Sequence, residues 1–306
     1  MDKDAAITVE NLRKTYGSLT AVNDVSFAVQ TEETFGIVGP NGAGKTTTIE
    51  CLEGLKPPDN GHIRVLGFDP QKDRRALNAR IGVQLQESNI AAQIKVWEAL
   101  ELYTSFYSNS VDPEELLEKL SLTPVRNSYY SKLSGGQKQR LFIALSLINN
   151  PDIVFFDELT TGLDPQARRL IWDLVRHVND QGKTVVLTTH FMEEAERLCD
   201  RVMIMDHGQI IALDSPEKLI QNLGAEHKVI FSIKGDVQIE WFTNMASVEN
   251  INIFRDKVTI SGKDDRLLAD VVNLLTARGI RHYDLHTQQP NLEDVFIALT
   301  GKEIRN

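Results

Sequence analysis

The stretch GPNGAGKTT, residues 39–47, constrains the fold more than any other feature of the chain. It follows the apolar run TFGIV and precedes the helical TIECLEGL. That is the strand–loop–helix setting of the G-x-x-x-x-G-K-S/T phosphate loop. Gly39, Gly42 and Gly44 let the backbone curl until successive N–H groups converge on phosphates, and the helix N-terminus adds its positive dipole end. Lys45 is placed to reach the outer phosphates, and the Thr46 hydroxyl to coordinate Mg2+. Pro40, Asn41, Ala43 and Thr47 complete the nucleotide-binding stretch. A glycine-rich turn can match the pattern by accident, but accident does not supply the strand before it and the helix after it.

The rest of the chain offers the sheet that such a loop needs. Apolar runs DIVFFDE, KTVVLTTH, DRVMIMDHG and QIIALD are separated by helical segments, the mark of a parallel sheet covered on both faces. Between about residues 94 and 148 the spacing turns helical, as in VWEALELYTSF and PEELLEKL, so a helical insert interrupts this α/β core. After Gly224 about 80 residues alternate strands such as HKVIFSI and KVTISG with amphipathic helices, enough for a small α+β domain. The expected domains are 1–222, with a helical part at about 87–149, and 225–306.

Composition narrows the partners. A formal net charge of -10 without a basic run argues against nucleic acid. Cys51 and Cys199 lie far apart with no metal-ligand spacing, and read as buried reduced thiols. The start, MDKDAAITVE, has no apolar core of a secretory signal. Runs such as LFIALSLI fall short of the roughly 20 residues that cross a bilayer.

IVFFDELTTGLD places Asp157 and Glu158 at the end of an apolar strand, where parallel α/β sheets bind ligands. Asp157 is suited to hold Mg2+, directly or through water. Glu158, one residue further, is assigned as the general base that polarises the attacking water. Neighbours in a strand point opposite ways, so the two carboxylates need not share a task. His190 ends the run TVVLTTH, where it can donate to a γ-phosphate or to the attacking water. His62, His177, His207, His227, His282 and His286 read as structural.

In KLSGGQKQR, residues 132–140, Ser134 reads as an N-cap, and Gly135 and Gly136 expose the first N–H groups of the helix that follows. That is an anion site without a charged side chain. These pieces in this order, with LSGGQ among them, resemble the ATP-binding-cassette family of transport ATPases, from about residue 7 to 222. The resemblance implies a P-loop NTPase core with a parallel sheet, an antiparallel β subdomain and the helical insert. It gives Tyr16, in KTYG, the place of the aromatic that stacks on adenine. Gln86, in IGVQLQ, takes the place of the glutamine that contacts Mg2+ and couples to the membrane partner; Gln84 is a rival with poorer spacing. Asp164, in TGLD, matches a second-subunit contact, and His190 the switch histidine. Leu85 and Leu159 stand where the family has proline, which alters loop stiffness but removes no functional group, so an active ATPase is expected.

In the resembled family Ser134, Gly135, Gly136 and Gln137 face the γ-phosphate of an ATP held by the opposite subunit. The resemblance therefore implies a homodimer of cassettes closing over ATP and Mg2+. It also implies a separate transmembrane permease on which the insert docks, with the chain on the cytoplasmic face of the membrane. The tail QPNLEDVFIALTGKEI resembles the end of ATPase subunits in the daunorubicin-resistance and sodium-extrusion exporter groups. An importer ATPase is the alternative, although the sugar-importer type has a larger all-β tail. Soluble members carry two cassettes or long coiled coils, and this sequence has one cassette and no sustained heptads. No N-K-x-D motif points to GTP.

Overall fold

The computed structural model describes residues 5–85, 89–222, 227–233, 240–243, 245–262, 264 and 266–301. The chain divides into two compact units, Met1–Pro216 and Glu217–Glu303. The boundary expected at 223–224 lies outside the described residues.

The first unit opens with β1 (Ala5–Tyr16), β2 (Leu19–Gln30), β3 (Thr34–Val38), α1 (Lys45–Leu52), β4 (Asn60–Val65), α2 (Arg74–Asn78) and β5 (Ile81–Gln84). The helical insert follows with α3 (Val96–Thr104), α4 (Pro113–Lys119) and α5 (Gly135–Leu147). It closes with β6 (Ile153–Asp157), α6 (Pro165–Asp180), β7 (Thr184–Thr189), α7 (Met192–Leu198), β8 (Arg201–Asp206) and β9 (Gln209–Asp214), after which α8 (Pro216–Asn222) begins.

Two sheets share one core. β2, β1 and β4 pair antiparallel in that order, and the larger sheet runs β5-β6-β7-β3-β8-β9. β3, β6 and β7 are buried at every position, as continuous apolar runs in a doubly covered sheet must be. Alternate residues Phe35, Ile37, Ile153, Phe155, Val186, Met203 and Met205 join one cluster with β1, β2, β4 and α1. Phe27 of β2 stacks on Phe35 of β3 at 5.5 Å. α6 and α7 pack on β7, and Ile171, Trp172, Val175 and Val178 form the buried stripe of α6 at helical spacing. The large sheet is not wholly parallel: β9 returns antiparallel to β8 through a short turn at His207 and Gly208, too short for a parallel crossover. α5 lies against β5, which ties the insert to the edge of the sheet.

The second unit contains β10 (His227–Ile233), α9 (Glu240–Thr243), β11 (Asn250–Phe254), β12 (Lys257–Gly262), α10 (Leu267–Ala277), β13 (His282–Gln288) and α11 (Leu292–Thr300). Its sheet runs β11-β12-β10-β13 with antiparallel neighbours, a split β-α-β arrangement. Val229, Phe231, Val258 and Ile260 pack with Phe242 and with Leu267, Val271 and Leu275 of α10. Asn291 caps α11 by accepting the N–H groups of Glu293 and Asp294.

Cys51 and Cys199 are both free and buried. Among the described residues, no helix is long and apolar enough to cross a membrane.

Candidate nucleotide site

α1 grows directly out of the glycine loop. Gly44 is its N-cap at φ 102°, a left-handed backbone, and a Cβ there would collide with the Ala21 carbonyl of β2. A Cβ at Gly39 would likewise meet the Met205 carbonyl of β8. The loop is thus pressed between two strands, and only glycine fits. Lys45 folds back over it: Nζ donates to Gly39 O at 2.9 Å and Pro40 O at 3.2 Å, and stands 3.6 Å from Glu158 Oε1. Burial lowers the Lys45 pKa, opposed by the Glu158 and Asp157 carboxylates. Two backbone carbonyls and the Glu158 carboxylate surround the ammonium, and a phosphate in the loop would offer it a further charged acceptor. Ala43 is buried beneath the loop and donates its N–H to Pro40 O.

Asp157 ends β6, buried, with Oδ1 accepting from Thr188 Oγ1 and lying 3.5 Å from Thr46 Oγ1. Burial raises its pKa and adjacent Glu158 adds to the rise, while Thr188, Thr46 and Lys45 oppose it. The Thr46 hydroxyl and Asp157 carboxylate are hard oxygen donors, the kind of set Mg2+ takes when substrate phosphates and water complete its shell. Among the described residues, no cluster of three acidic, His or Cys side chains would hold a metal unaided.

Glu158 does not follow the strand alternation expected of it. It sits at φ 49°, outside β6, with its N–H donated to Thr188 O at 3.2 Å and Thr188 Oγ1 at 3.1 Å. The left-handed turn, rather than the pleat, sets the direction of its carboxylate. His190 follows β7, and its Nδ1 comes within 3.5 Å of Glu158 Oε1. Lys45, Glu158 and His190, distant in sequence, therefore meet at one carboxylate. Tyr16 ends β1, half exposed, and lines a cleft of about 450 Å³ with Asn41, Gly42, Thr46, Thr47 and Glu158.

α5 opens at Ser134. Its Oγ accepts the Gln137 N–H at 3.3 Å, while Gln137 Oε1 accepts the Ser134 N–H at 2.9 Å. This reciprocal box satisfies two donors, leaving the Gly135 and Gly136 N–H groups of the first turn without a place in the helix ladder. A Cβ at Gly135 would come no nearer than 3.8 Å to Leu163, and one at Gly136 no nearer than 3.5 Å to Ala167. The chain's own packing does not require these glycines. Asp164 caps α6, Oδ1 accepting the Ala167 N–H at 2.9 Å. Both helix mouths open on one depression of about 320 Å³, which no phosphate-loop residue lines.

A family model described as ABC transporter matches residues 22–161. The chain is 39% identical over 315 residues to a Nod factor export ATP-binding protein I of Paraburkholderia xenovorans (strain LB400), covering 99% of both. It is 33% identical over 310 residues to the linearmycin resistance ATP-binding protein LnrL of Bacillus subtilis (strain 168), covering 98% of this chain and 100% of that one. A dimeric structure of a bacterial ABC transporter cassette superposes with a TM-score of 0.61 at 28% identity, over 68% of this chain and 98% of that one. The chain belongs to the ABC transporter family. It is an ATP-binding subunit of a family of ATPases.

The cassette holds further features near the cleft. Gln86 lies outside the described residues. Its rival Gln84 is buried, Nε2 donating to Leu85 O at 2.6 Å and Oε1 without a partner. Glu53, the C-cap of α1, carried no signal in the sequence beyond being an acid at a helix end. It is buried with neither carboxyl oxygen hydrogen-bonded, and lines a separate cavity of about 430 Å³ with Gln84. Burial pushes its pKa well above 4.5, and Asp157 and Glu50 add to the rise. A carboxyl with a raised pKa favours the fold below its unfolded pKa and loses that contribution as pH rises through the folded value. Glu53→Gln is therefore expected to raise Tm of the first unit at pH 8 by about 2–4 °C, the shift that 1 kcal/mol makes in a domain of roughly 150–250 residues, and to leave it unchanged near pH 4. Melting curves across that range check the sign.

Proposed function

We propose that this cassette powers export through a separate membrane permease, by closing with a second copy of itself over two ATP molecules at the cytoplasmic face of the membrane. One observation carries the dimer: the phosphate loop and the LSGGQ helix mouth open on different depressions of the same chain. A γ-phosphate held by Lys45 is out of reach of the Gly135 and Gly136 N–H groups of its own chain, but not of a partner's. Glycines that the fold does not need keep that face low enough for close approach. Export is supported by the relative named Nod factor export ATP-binding protein I, which this chain matches over 99% of both lengths.

In this reading Tyr16 stacks on adenine, the loop amides and Lys45 hold the phosphates, and Glu158 takes a proton from the attacking water. His190, beside the Glu158 carboxylate, orients that water or the γ-phosphate. Thr46 and Asp157 would hold Mg2+, Gln86 is assigned as a further contact to the ion by the family resemblance, and the ion would neutralise phosphate charge. Asp164 contacts the second cassette. Residues 1–222 form the cassette and 225–306 an accessory domain. Loss of the γ-phosphate removes the contacts that favour closure. Swinging the pair from 1:99 to 99:1 takes about 5.5 kcal/mol of differential binding.

Ser134→Arg tests the shared site. The long cation blocks the helix mouth without touching the phosphate loop, so one cassette still binds ATP while closure fails. Hydrolysis is expected to fall by about 100-fold, the scale of losing oriented amides at a developing charge. ATP affinity of the monomer, read by fluorescent nucleotide titration, is expected to hold. Unimpaired hydrolysis overturns the shared site.

A further inference from the structure

α7 begins two residues after His190, and its Glu194 is 3% exposed, which is unusual for a carboxylate. Burial pushes the carboxyl pKa up; Thr189, Trp172, Thr160 and Arg168 oppose that rise. Trp172 Nε1 of α6 donates to Glu194 Oε1 at 2.9 Å. Thr189 immediately precedes His190, and its Oγ1 accepts the Phe191 N–H at 2.9 Å. Thr160 stands two residues past Glu158 in the loop that leads to Asp164, its Oγ1 short of hydrogen-bond geometry. On the other side of the same circuit, the Arg168 guanidinium of α6 lies 4.1 Å over the Phe191 ring, which packs at 4.1 Å on the His190 ring.

Glu194 lines neither depression and is placed to touch no nucleotide. A well-packed apolar residue would fill the same space at lower cost, because a buried carboxylate gives up its hydration. What the carboxylate does that an apolar side chain cannot is take a directional bond from Trp172 of α6, with the Thr189 hydroxyl, next to His190, as a further polar neighbour. We propose that Glu194 is a positioning residue for ATP hydrolysis, bracing His190 against Glu158 through Trp172, Thr189 and the Arg168–Phe191 stack. This rests on the roles proposed above for Glu158 and His190. Losing the brace leaves nucleotide binding at the loop intact and lets the imidazole drift, and displacements of about 1 Å at a reacting group cost about 100-fold in rate.

Glu194→Gln keeps the shape of the side chain and an oxygen for Trp172, but removes the charge. Trp172→Phe removes the indole N–H alone and carries the test should the first variant fold poorly. Each is expected to lower kcat for ATP by about 10- to 100-fold with the ATP dissociation constant changed by less than about threefold. In a His190→Ala background either substitution is expected to lower the remaining rate by less than about twofold, because the positioned group is gone. A purely structural role would give the same fold-loss in both backgrounds, and that result overturns the proposal. So does an unchanged kcat in Glu194→Gln beside an impaired His190→Ala, which leaves the roles of Glu158 and His190 standing. A His190→Ala chain at full rate sinks the histidine's role and this inference together.

Discussion

Glu158→Gln is expected to abolish turnover and to collect the chain as an ATP-bound dimer. The Glu158 carboxylate can take a proton from water, and it stands 3.6 Å from Lys45 Nζ and 3.5 Å from His190 Nδ1. An amide has no such capacity, so kcat is expected to fall by about 100- to 10,000-fold, the range of a lost general base. Binding moves the other way. Removing a negative charge from the cleft relieves repulsion of the γ-phosphate, so ATP affinity is kept or raised. With hydrolysis blocked, nothing ends the closed state. Light scattering with ATP and Mg2+ is expected to show twice the monomer mass at concentrations where the unsubstituted chain stays monomeric. An obstinate monomer counts against the whole scheme.

Lys45→Ala is expected to act one step earlier. The ammonium is buried and already shares its surroundings with Glu158 and Asp157, so the substitution removes the phosphate's cation and leaves two carboxylates facing it. Loss of a charge-assisted bond together with that repulsion is expected to weaken ATP binding by about 100-fold or more. Because breaking a buried pair strands the remaining charge, Tm is also expected to drop. Isothermal titration with ATP checks the first effect, and a melting curve without nucleotide the second. Retained affinity refutes the placement of the phosphates at this loop.

Much of the site was legible because it is written in local chemistry. The glycine loop and the Ser134 N-cap depend on residues within a few positions, so their spacing carries their geometry, whereas the Gln137 half of the box and the Asp164 cap emerged only with the structure. The apolar runs within β3, β6 and β7 announced a covered parallel sheet, since a strand buried on both faces loses the polar alternation of a half-exposed one. Strand alternation failed at Glu158, because a left-handed residue ends the pleat, and that is a property of the turn into Thr160 and Thr161. The antiparallel return of β9 was missed for a related reason: an edge strand and a parallel strand read alike in apolar content.

What the sequence by itself determined is therefore the set of local devices: a phosphate loop opening a helix, an uncharged helix mouth, acids and a histidine at strand ends. Only the tertiary structure decided which of them meet. Strand order β6-β7-β3 brings Lys45, Glu158 and His190 to one carboxylate and sends the LSGGQ mouth to a different depression. It also buried Glu53 and Glu194, acids with no distinguishing neighbours in the chain. The physical reason is that hydrogen-bonded caps and glycine turns are short-range and carry their own pattern. Burial and pairing are long-range, and arise from sheet order that no short stretch encodes.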